Sequence, residues 1–79
     1  QLVRGMLGHR RQREGQILRL LGEGPITIAD MVPRMYKGLD PSLTGAAGRS
    51  VLAHLLDLGN QGRVRCDPGP GGETWSLAA

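Results

Sequence analysis

The periodicity of this chain changes once, at Gly62, and that change limits the folds open to it. Before Gly62, apolar residues recur every three or four positions. After it, they alternate around the turn-forming run Pro68-Gly69-Pro70-Gly71-Gly72. A chain of 79 residues buries only about 60% of the surface its unfolded form exposes. It therefore has room for one small core and no second domain. Hydrophobic residues make up 39% and charged residues 22%, as in a folded domain. With no Phe, one Trp and one Tyr, that core must be built from Leu, Ile, Val, Met and Ala. No apolar run approaches the roughly 18 residues of a membrane span. The lone Cys66 excludes an internal disulfide and gives no support for a structural zinc site, which takes about four Cys or His ligands.

The spacing predicts a first helix over about Leu2 to Leu21, stopped by Gly22-Glu23-Gly24-Pro25. Pro25-Ile26 has length only for a single strand-like bridge. Thr27 reads as an N-cap with Asp30 three residues on, opening a shorter helix through Ile28, Met31, Val32, Met35 and Tyr36 to Gly38. Pro33 should kink it or cut its second half short. After a loop at Leu39 to Ser42, a third helix begins near Leu43 or Thr44 and runs to about Asn60. Its inner stripe is Ala47, Val51, His54, Leu55 and Leu58. Arg63 to Asp67 and Glu73 to Leu77 alternate as strands, with Val64 and Cys66 on one face of the first, Cys66 inward, and Trp75 and Leu77 on one face of the second, Trp75 capping the core. The whole of 1–79 is thus expected to be one mainly α domain with a small β-hairpin. Three helices and a two-stranded wing make the winged helix, a helix-turn-helix variant.

DNA binding is the obvious reading of a basic winged helix, and the net charge of +3 permits it. The outward face of the third helix, however, carries Ala46, Arg49, Ala53, Leu56, Asp57 and Asn60, with one cation and one anion. The hairpin turn has no Lys or Arg. Such a helix would read bases poorly. Five of the ten basic residues, Arg4, Arg10, Arg11, Arg13 and Arg19, lie on the first helix instead. There Arg10, Arg13 and Glu14 interrupt the apolar stripe between Leu2–Leu7 and Ile17–Leu21. A helix of this length spans about 30 Å, as much as a compact domain of this size. Its N-terminal half therefore has little in this chain to cover it, and uncovered apolar surface marks interfaces. The docking face expected from this is Leu2, Met6, His9, Arg10, Arg13 and Glu14. Its partner would be the rest of the same polypeptide or, in a weaker reading, a second copy forming a homodimer. The competing reading is a nucleic-acid-binding module using Arg4, Arg11, Arg19, Arg63 and Arg65.

No catalytic set is present. The two histidines have no metal-site spacing, and Gly69 to Gly72 is followed by neither Lys-Ser nor a helix, so it is no phosphate loop. These residues should hold no cofactor. The chain opens at Gln1 without a signal-peptide layout, so it reads as a fragment of a longer protein or as a mature piece, with a cytoplasmic setting expected.

Several short motifs in order carry a family resemblance. His9-Arg10, Arg13-Glu14 and Gln16-Ile17-Leu18 open it. Thr27, Met35-Tyr36, Leu43 and Ala46-Ala47 continue it, and Ser50 to Leu55 with Gly62-Arg63-Val64 complete it. From Val3 to Val64 the chain resembles the C-terminal winged-helix domain of metallo-β-lactamase-fold hydrolases, a group that includes the beta-lactamase-like protein 2 type. The resemblance implies a parent hydrolase whose zinc ions sit in an N-terminal catalytic domain absent from this sequence. It also implies that this domain packs on that catalytic domain and helps shape substrate access.

Overall fold

The computed structural model describes residues 2–78, and their side chains from 10 to 78. The elements are α1 (Leu2–Leu21), α2 (Ile28–Met35), a 3₁₀ turn (Pro41–Leu43), α3 (Thr44–Asn60), β1 (Val64–Gly69) and β2 (Gly72–Leu77). The two strands pair antiparallel, from Val64 with Leu77 to Gly69 with Gly72. Three helices followed by this hairpin form a winged helix.

Local chemistry explains each boundary. The carbonyls of Leu18, Leu20 and Leu21 at the end of α1 are taken by the amides of Gly22, Glu23 and Gly24. The hydroxyl of Thr27 accepts from the Asp30 amide at 3.2 Å, capping α2 as the sequence predicts. Pro33 denies Ala29 its helical partner, and α2 ends two residues later, at Met35. α3 ends in a full Schellman motif. The Arg63 amide donates to Leu58 O at 3.0 Å and the Gly62 amide to Gly59 O at 3.0 Å, with Gly62 left-handed at φ 74°. The periodicity switch seen in the sequence is this cap.

The core draws on all three α-helices and both strands. Ile17 and Leu21 come from α1, Met31, Val32 and Met35 from α2, and Ala47, Val51, Leu55 and Leu58 from α3; Val64 and Trp75 come from the wing. The expected bridge at Ile26 is present and fastens the wing down. Its amide donates to Trp75 O at 3.1 Å, and the Trp75 amide donates to Ile26 O at 2.8 Å. His54 is half-buried on the flank of the inner stripe.

Two wing expectations are corrected. Cys66 is exposed, although it shares a strand face with buried Val64. β1 is the outer strand of the hairpin, and Trp75 of β2, paired with Cys66 and bridged on its other side to Ile26, takes the core position at that level, so alternation alone does not decide burial. The turn is also tighter than Pro68 to Gly72. Pro68 and Gly69 belong to β1, and only Pro70 and Gly71 close the hairpin. β1 is an edge strand, where a proline without N–H removes no ladder hydrogen bond.

Candidate functional site

Two of the arginines that interrupt the stripe of α1 have partners within the domain. Arg10 Nη2 donates to Asp57 Oδ2 at 2.6 Å, tying α1 to α3. That hydrogen bond, with the carboxylate charge, raises the pKa of Arg10 above its ordinary value. Asp57 also accepts from Gln61 Nε2 at 3.3 Å. Arg13 is half-buried, and its guanidinium lies 4.3 Å from the ring centroid of Tyr36. Its Nη1 donates to Met35 O at 3.3 Å and to Gln16 Oε1 at 3.0 Å. A cation there sits where the last carbonyls of α2 emerge, which favours it electrostatically. Glu14 beside them is half-buried, and its Oε2 has no hydrogen-bond partner among the described residues. The side chains of Leu2, Arg4, Met6 and His9 lie outside the described residues.

The remaining described basic candidates are spread over α1 and the wing. Arg11 and Arg19 are exposed on α1, and Arg63 is exposed at the foot of the wing. Arg65 Nε is paired with Asp67 Oδ2 at 3.0 Å. At the wing, the Cys66 thiol donates to Glu73 Oε2 at 3.1 Å, and that carboxylate pushes the thiol pKa up.

The outer side of α3 is apolar where a reading helix would be polar. Leu52 is 37% and Leu56 54% exposed, with Ala46, Ala53 and Arg49 exposed beside them. Leu52 forms one wall of an open groove of about 350 Å³. Thr27, Ile28 and Ala29, at the start of α2, form another wall, and Gly71, Glu73 and Trp75 of the wing close it. Ile28 reaches across to α3, with its Cγ2 3.7 Å from the point where a side chain on Gly48 would begin. The sequence reading placed Leu56 on this face but missed Leu52 and the groove. A signal was available: Leu52 and Leu56 are four apart and belong to neither turn of the inner stripe. The groove itself needs three elements brought together, which no spacing states. Among the described residues, no three His, Cys, Asp or Glu side chains cluster to hold a metal. Among them, too, no helix is long and apolar enough to cross a membrane.

Comparison with known proteins gives this surface a setting. Residues 27–75 match the family model described as the beta-lactamase associated winged helix domain. Among solved structures, the chain is similar to a beta-lactamase domain protein from Burkholderia ambifaria. The identity is 25% and the TM-score 0.85, over 96% of this chain and 23% of that one. No curated protein matches the chain.

Proposed function

Because the chain belongs to the beta-lactamase associated winged helix domain family, we propose that it is the accessory domain of a metallo-β-lactamase-fold, zinc-dependent hydrolase. In this reading it packs on the catalytic domain of its own polypeptide through α1 and helps shape the approach to the active site. The observation that carries it is the similarity to a beta-lactamase domain protein of which this chain accounts for only 23%. The residues of this chain do not fit a zinc ion, since no three potential ligands cluster among those described. In this reading the metal chemistry belongs to the remainder of the parent. Arg10 and Arg13 tie α1 to α3 and to the end of α2 through Asp57 and Tyr36, which supports α1 as the helix that carries the docking face in this reading.

The test is made on the full-length parent carrying Leu2→Asp and Met6→Asp together. The expected result is that a single coupled thermal transition splits into two and that KM rises. An unchanged transition and unchanged KM would overturn docking through α1. The competing nucleic-acid reading rests on the exposed Arg11, Arg19 and Arg63. It requires oligonucleotide binding whose logarithmic salt slope rises by about one per phosphate contact. Flat anisotropy at low salt removes it.

A further inference from the structure

We propose that the outer edge of the wing is a self-association surface, on which β1 pairs antiparallel with β1 of a second copy of this chain in the register centred on Cys66. This stands apart from the accessory-domain reading and from α1.

The hydrogen bonds already made show which backbone groups are left. Trp75 turns both its amide and its carbonyl to Ile26. Cys66, across the hairpin from Trp75, is therefore a non-hydrogen-bonded position of the β1–β2 ladder. By alternation, Val64, Cys66 and Pro68 all direct their backbone groups away from β2. Among the described residues, β1 contacts only β2 and α3, and Cys66 is exposed. The outward amides and carbonyls of β1 thus form an unpaired row, the template on which another strand adds. Pro68 brings an acceptor but no donor, which blunts the row without closing it.

Charge selects a second copy as the occupant, and it selects the register. Arg65 and Asp67 lie on the opposite face of β1 from Cys66, and both are exposed. A two-fold pairing centred on Cys66 sets Arg65 across from the partner's Asp67, and Asp67 across from the partner's Arg65. These are positions where facing side chains lie closest, so opposite charges there attract. Moving the centre by one residue sets Arg65 against the partner's Arg65, or Asp67 against the partner's Asp67, and like charges directly opposite are destabilising. In the favoured register the two Cys66 residues exchange both backbone hydrogen bonds. Each Val64 amide also donates to the carbonyl of the partner's Pro68. The edge is self-complementary, as an isologous contact requires. It is also much smaller than the roughly 20–30 residues a side of a stable complex, so the dimer should have a Kd of about 1 mM.

The chain closes its own core, so the experiment uses the 79-residue protein, in which Cys66 is the sole thiol. Dibromobimane, which bridges two thiols only when they lie close together, is applied over protein concentrations around the expected Kd, alongside sedimentation. The reaction is run at alkaline pH, because Glu73 pushes the Cys66 pKa up. The expected result is a cross-linked dimer whose yield rises with concentration. Arg65→Asp should lower that yield by about tenfold. This variant also lowers the net charge from +3 by two, so general repulsion between copies cannot account for the loss. Arg65→Asp/Asp67→Arg should restore the yield, because the two charges trade places and still face their opposites. A chain that stays monomeric overturns the proposal. So does cross-linking that Arg65→Asp leaves unchanged, or that the double variant fails to restore. A dimer that sediments but does not cross-link through Cys66 overturns it in favour of another surface, α1 included.

Discussion

On α3, Leu55 and Leu58 are wholly buried, whereas Leu52 is 37% and Leu56 54% exposed. The two faces use the same side chain, so hydrophobicity cannot be what separates them. The inner leucines meet Ile17 of α1, Met31 of α2 and Val64 of the wing foot in one closed core. Of the outer leucines, Leu52 lines the open groove and Leu56 is more than half exposed to solvent. One set closes the core of this domain; the other leaves apolar surface partly in contact with water.

The sharpest way to break this contrast is to truncate neighbours on the two faces. Leu55→Ala should destabilise the domain by about 2–5 kcal/mol, from lost burial and the cavity left behind. Leu56→Ala, one residue on, should stay within about 0.5 kcal/mol, as surface substitutions do. Urea unfolding of the 79-residue chain measures both. Equal losses would mean that Leu56 is part of the core and that the outer face is not free.

The next effect concerns how α3 is ended rather than what it buries. Gly62 holds φ 74° so that the Gly62 and Arg63 amides can close the Schellman motif on Gly59 and Leu58. Ala there should cost about 1–2 kcal/mol, the price of a left-handed L-residue. For a domain of this size that lowers Tm by roughly 4–8 °C per kcal/mol. Gly15, inside α1, is the opposite case: a Cβ there would meet nothing within 4 Å. Gly15→Ala should stabilise by about 0.5–1 kcal/mol through helix propensity alone. If both substitutions moved Tm in the same direction, the backbone accounting for one of them would be wrong.

What the sequence made legible follows from which facts are local. Helix limits, the Thr27 cap, the early stop after Pro33 and the Ile26 bridge depend on residues within a few positions of one another. So does the inner stripe of α3, because period and burial agree wherever an element lies fully on the core. Alternation failed at Cys66 because β1 is the outer strand, and its partner Trp75 on β2 takes the core position. The interruption of α1 by Arg10 and Arg13 was visible, but their partners were not. Asp57 lies 47 residues from Arg10, and Met35 lies 22 from Arg13. The groove was invisible for the same reason: its walls come from three elements that only the fold brings together.

The smallest effect lies in the turn that launches α3 and so fixes where both faces begin. The Asp40 carboxylate accepts from the Ser42 amide at 2.9 Å and from the Ser42 hydroxyl at 2.9 Å. These bonds, the backbone one foremost, hold the Asp40 pKa below its ordinary 3.8. The folded chain therefore binds this proton less readily than the unfolded chain. The stabilisation is fully present above the unfolded value, and it is lost as pH falls through the lower folded one. Asp40 is exposed, so solvent screening keeps the effect small. A carboxyl carbon NMR titration should place the Asp40 midpoint below 3.8, and Ser42→Ala, which keeps the amide but removes the hydroxyl, should move it only part of the way back. A full return in Ser42→Ala would mean that the hydroxyl, not the backbone, sets the turn. An Asp40 midpoint at or above the ordinary value in the unaltered chain would mean that the cap does not hold in solution, leaving the start of α3 free to fray on both faces alike.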